Sequence, residues 1–174
     1  MGLLNLFGGK KKDLLALQKI VLKDSPNRLV MSEKQIVSSA SRMVQRNIEI
    51  MNDCVRIVKE TVKPDTFFMR LDLLEETAKG LSAFGKFKKY IHFSIPPFLV
   101  YANFRKDKPK AIAQFLNRYY EETRKQAEGM KTEKGKINKY KKFYDSLQPY
   151  YGQMNADHIE YIETKCQGMK EKWT

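Results

Sequence analysis

Two histidines, two cysteines and a few closely spaced carboxylates are the side chains that first suggest metal or acid–base chemistry. A carboxylate-bridged metal pair in a helical bundle needs Glu-x-x-His twice. His92 and His158 are preceded, three residues earlier, by Lys89 and Asn155. Cys54 and Cys166 belong to neither a disulfide framework nor a metal motif, and read as small core thiols in a reducing compartment. Asp72, Glu75 and Glu76, like Glu49 and Asp53, sit at helical spacing. Such groups usually form a solvated face and only occasionally an acid–base or metal site. No serine or cysteine has a nearby histidine suited to activate it.

The stretch "GMKTEKGKI" (129–137) approaches a phosphate-binding loop, G-x-x-x-x-G-K-[ST]. Five residues separate Gly129 from Gly135, however, and Ile137 stands where the magnesium-binding hydroxyl belongs. No strand precedes it. A helix start with Thr132 near the cap explains the same residues better. The expectation is a non-enzymatic protein with no catalytic residues, metal or cofactor.

The charge is more informative. Thirty-three Lys and Arg against twenty Asp and Glu give +13, which favours an anionic partner but speaks first to solubility and steering. The excess is concentrated: residues 85–110 hold seven Lys/Arg against Asp107 alone, residues 1–31 carry +4 and residues 132–148 carry +3. The candidate anion or nucleic-acid contacts are Lys86, Lys88, Lys89, Arg105 and Lys106, then Lys134, Lys136, Lys139, Lys141 and Lys142. The second cluster, lysines without arginine, offers point charges that suit phosphates and read little sequence. For the second cluster a solvated helix face is the simpler reading.

Between the lysines of 86–110 lies an apolar island. Phe84, Phe87, Tyr90 and Phe93 recur every three residues, as do Phe98, Tyr101 and Phe104 beyond Pro96-Pro97. On an α-helix each such step drifts by about 60°, so these rings cannot all face one core. Phe98, Tyr101 and Phe104 are the candidate partner-facing rings. Aromatics among lysines suit single-stranded nucleic acid, and apolar rings between basic shoulders suit a membrane surface. The favoured expectation is a crossover, bent at Pro96-Pro97, that packs its rings over the end of a bundle.

Every element that must position these residues reads as helical. "DLLALQKIVLKD" (13–24) is amphipathic and stopped by "DSPN". Ser32 with Gln35 makes a capping box, and Met31 with Ile36 a hydrophobic staple. Ala40, Val44, Asn47, Met51, Cys54 and Val58 continue as one stripe, predicting a long helix from Glu33 to about Thr61. Another helix opens at Pro64, a further one at Lys108-Pro109 with proline in its first turn, then one over 132–148 and a last one capped by Asn155. Proline (6) and glycine (9) are too sparse for disorder or a turn-rich all-β chain. The fold class is therefore all-α: an up-and-down bundle of five to six helices, one long and central, with an aromatic crossover around 86–108. A flexible basic arm over 1–10 precedes a single domain over 11–174, with Gly8-Gly9 as the joint.

"NDCVRIVKETVKPDTFFMRLDLL" and "KTEKGKINKYKKFYDSLQPYYGQMNADHIEYI" together resemble a family of small uncharacterised helical proteins of Gram-positive bacteria and their phages. The specific pieces are Asp65-Thr66-Phe67-Phe68 with Arg70, the run Lys131 to Lys139, and Glu160-Tyr161-Ile162. The resemblance implies a helical, cytoplasmic protein and carries no activity, cofactor or partner with it.

The function expected from the residues is non-catalytic binding, as an adaptor. A protein partner comes first. Sequence-unspecific nucleic-acid binding through 86–110 and 131–142 comes second, and membrane-surface association through 86–110 third. Homo-oligomerisation stays open. The opening "MGLLNLFGGKKKD" has its lysines after a short apolar run, unlike an export signal, so a cytoplasmic location is expected.

Overall fold

The computed structural model of the chain describes residues 3–173, with side-chain placement from residue 9 onward. Among these residues all regular structure is helical. The helices are α1 (Leu3–Val21), α2 (Glu33–Glu60), α3 (Pro64–Ser82), α4 (Pro97–Glu128), α5 (Glu133–Leu147) and α6 (Ala156–Lys170), with short 3₁₀ helices at Gly85–Phe87 and Gln148–Gln153. The protein is an all-α helical bundle.

Two boundaries differ from expectation. Helix α1 begins at Leu3 and runs through Gly8-Gly9, where a joint was expected. Of the arm expected over 1–10, residues 1 and 2 and the side chains up to residue 8 lie outside what is described, and Lys10 at its end pairs with Glu33 at 2.8 Å. Helix α4 does not start at Lys108-Pro109. It starts at Pro97 and carries Pro109 in its interior, which makes it the longest helix at 32 residues. Proline is equally suited to the first helical position at 97, and there its missing N–H costs nothing. At 109 it deprives the Arg105 carbonyl of its helical donor. Arg105 and Pro109 are both exposed, so that carbonyl is not stranded in a core.

The chain gathers into two compact units, residues 1–53 with 74–104 and residues 54–73 with 105–174. The divisions fall inside α2, α3 and α4.

The first unit is built from aliphatic helix faces closed by aromatics. Leu14 and Leu17 of α1 meet Ile36, Ala40 and Val44 of α2, together with Leu81, Phe84, Phe87 and Ile91. The capping box at the start of α2 forms as the sequence requires: the Ser32 N–H donates to Gln35 Oε1 at 2.9 Å, and the Gln35 N–H donates to Ser32 Oγ at 3.4 Å. Gln18, fully buried on α1, fixes the connection between the two helices. Its amide donates to Ser25 Oγ (2.6 Å) and the Arg28 carbonyl (3.1 Å), and its Oε1 accepts from the Val30 and Met31 N–H groups (2.9 and 3.3 Å).

Past α3 the ring spacing of three finds its period in 3₁₀ bonding rather than an α-helix. The N–H groups of Phe84, Phe87 and Tyr90 donate to the carbonyls three residues earlier, at 3.0, 2.9 and 2.8 Å. Side chains three apart eclipse in such turns, so Phe84 and Phe87 share one buried face.

The second unit has an aromatic core. Phe67 stacks on Phe115 at 4.0 Å between centroids, Phe68 stacks on Tyr150 at 4.2 Å, and Phe143, Leu147 and Ile162 are buried. Asn155 and His158 cap α6 reciprocally, and His158 Nε2 lies 2.9 Å from the Pro109 carbonyl. Because Nδ1 accepts from the Asn155 N–H, Nε2 carries the proton and donates. Arg118 donates to the Val58 carbonyl at 2.7 Å, placing a cation at the C-terminal end of α2.

Cys166 is fully buried on α6, and burial pushes its thiol up to about 11 from 9.0. The native state therefore holds this proton more tightly than the unfolded chain. Its contribution to stability is complete below about 9 and is lost as pH rises toward about 11. An aromatic disulfide reagent should leave Cys166 unlabelled at neutral pH until the protein is denatured. Rapid stoichiometric labelling of the native protein, located to Cys166 by mass spectrometry, would contradict this placement.

Candidate functional site

Burial sorts the candidate rings in order along α4. Phe98 is 64% exposed, Tyr101 is half-buried with Lys79 Nζ 5.9 Å from its ring centre, and Phe104 is 9% exposed. The three-residue step turns each ring away from the last, as α-helical drift requires. Only Phe98 is fully available to a partner. Phe104 is a core residue, which corrects its assignment as partner-facing, and the rings of 84–91 close the first unit.

The basic candidates divide between the units. Lys86, Lys88 and Lys89 are exposed in the first, with Lys89 paired to Asp13 at 2.6 Å and Lys86 lying over the Phe87 ring at 5.1 Å. Arg105, Lys106, Lys134, Lys141 and Lys142 are exposed in the second, while Lys136 and Lys139 are half-buried. Lys139 donates to Gln126 at 3.1 Å. The glycine that suggested a phosphate loop serves the cap of α5 instead. Thr132 Oγ1 accepts from the Gly135 N–H at 3.1 Å, and a Cβ at 135 would meet Met130 Sδ at 2.9 Å. Two of the carboxylates considered for acid–base work hold structural partners: Asp72 accepts from Gln153 at 3.1 Å and Glu49 from Gln45 at 3.0 Å.

What the structure adds is a set of depressions in the first unit around the segment Ile91–Phe98. An apolar cleft of about 230 Å³ lies among Ile48, Met51, Leu81, Phe93, Pro97 and Val100. It shares Ile48 and Ser94 with a polar trough lined by Ser38, Ser41, Arg42, Gln45 and His92. A third hollow, on the Phe98 side, is lined by Lys88, His92 and Pro96 among others. Ile95 (58% exposed), Phe98 (64%), Leu99 (39%) and Ile48 (38%) crowd this region with apolar surface.

Helix geometry explains the trough. Ser38, Ser41, Gln45, Ile48 and Asn52 recur at spacings of three and four, one flank away from the buried stripe of α2. That flank is polar except for Ile48. A lone large hydrophobe on a polar flank is the signal in the sequence that marks the site, and reading only the core stripe misses it. Met51, in the middle of that stripe, is half-buried because it forms the floor of the cleft.

Among the described residues no three His, Cys, Asp or Glu gather as a metal site, and no helix is long and apolar enough to cross a membrane. No protein-family profile, curated protein or solved structure matches the chain, so the resemblance to a bacterial and phage family finds no support there.

Proposed function

We propose that the protein is a non-catalytic adaptor that engages another protein through the cleft, the trough and their apolar rim. The observation that carries this reading is the exposure of Ile95 and Phe98 beside a ready-made apolar cleft. A large apolar side chain left in water forgoes about 1.5–3 kcal/mol that burial would supply. Two such side chains flanking Pro96-Pro97 are held on a stiff segment, so little conformational entropy is lost when a partner covers them. A cytoplasmic location belongs to the same reading, since two buried thiols suit a reducing compartment.

The lysine face of α5 supports charge-only contact with nucleic acid as the second reading. Stacking is the weaker part of it, because Phe98 alone of the three candidate rings is open. Photo-cross-linking from position 98 in living cells tests the leading reading. A protein adduct is the expected result; nucleic-acid adducts, or no adduct, would overturn it.

A further inference from the structure

We propose that the trough takes an acidic amphipathic helix, one bulky apolar side chain seated in the Met51–Phe93 cleft and its carboxylates facing Arg42, Lys88 and His92. This inference rests on the protein-docking reading and adds the chemistry of the partner. The site runs along α2, as a groove for a second helix does. Arg42 precedes Met51 by nine residues, a rise of about 14 Å, so the carboxylate that faces Arg42 lies two to three turns from the anchor.

Charge selects the guest. No carboxylate lines any of the three depressions, whereas Arg42, Lys88 and His92 do. None of these three has an ion-pair or hydrogen-bond partner among the described residues. A second copy of this chain would bring +13 of like charge. A bilayer surface would touch the protruding Ile95 and Phe98 but would leave the concave floor at Met51 and Leu81 unfilled.

The test is selection from a displayed library of helical peptides of about four turns, varied in anchor and charge, against the full chain. The wild type should enrich acidic peptides bearing a Leu, Phe or Trp anchor. Reversing Arg42→Glu together with Lys88→Glu should weaken those peptides by about tenfold or more and enrich basic ones instead. Ile95→Asp should abolish enrichment, with circular dichroism and melting unchanged. Enrichment without acidic bias, or unmoved by the reversal, overturns the partner chemistry and leaves the docking reading standing. Enrichment equal in wild type and Ile95→Asp, or none in either, sinks both. Two further outcomes overturn the proposal in favour of another occupant. One is sedimentation with phosphatidylglycerol vesicles that Phe98→Asp abolishes; the other is a concentration-dependent dimer that Ile95→Asp dissociates.

Discussion

Replacing Gln18 by leucine is expected to destabilise the protein by about 3 kcal/mol, although leucine fills nearly the same volume on an apolar helix face. The amide makes four hydrogen bonds from a fully buried position, and two of them satisfy the N–H groups of Val30 and Met31. Leucine would leave those donors and the Arg28 carbonyl without their partner, at about 1–3 kcal/mol for each group that water cannot reach. Ser25→Ala removes one partner of the same amide and should cost only about 1 kcal/mol. Thermal unfolding followed by circular dichroism checks both, with a fall of roughly 10 °C expected for the leucine variant. An unchanged midpoint for Gln18→Leu would mean that the residue merely fills space.

The second large effect contrasts two phenylalanines of α4. Phe115 is fully buried, stacked on Phe67 and edge-on to Phe68 at 5.8 Å. Truncation to alanine opens a cavity in the aromatic core and should cost about 3–5 kcal/mol. Phe98, on the first turn of the same helix, should cost less than about 0.5 kcal/mol when truncated, since its ring is mostly in water. Chemical denaturation of the two variants gives the comparison directly. Equal losses would make Phe98 a structural ring and remove the main support for a docking surface.

Much of the fold is legible in the residues, where local chemistry and tertiary packing agree. The Ser32–Gln35 box and the stripe through Ala40, Val44 and Cys54 place α2 to within a residue, and Thr132 and Asn155 mark the caps of α5 and α6. Ambiguity enters where one residue type serves two ends. Pro97 and Pro109 both suit a helix start, and only packing decides that the chain is already helical at 109. Three-residue ring spacing reads as drift on an α-helix but as one face in 3₁₀ turns, and the hydrogen bonds at Phe84, Phe87 and Tyr90 select the second. Gln18 looks like a polar interruption of an apolar face until the loop it holds is in view. The site was half legible. Its apolar island and lysines stand out in sequence, while Arg42 and Ile48 reach it only through the register of α2 beside the segment 91–98.

The central claim is that a protein partner covers the rim of the first unit. Benzoylphenylalanine placed in turn at Phe98 and at Lys142, with irradiation in living cells, measures this most directly. Both positions are exposed, so solvent access alone gives them equal yields. The account predicts a discrete protein adduct from position 98, lost when Ile95 is changed to Asp in the same chain, and only background from position 142. Equal background at both positions, or adducts to nucleic acid concentrated at position 142, would contradict it.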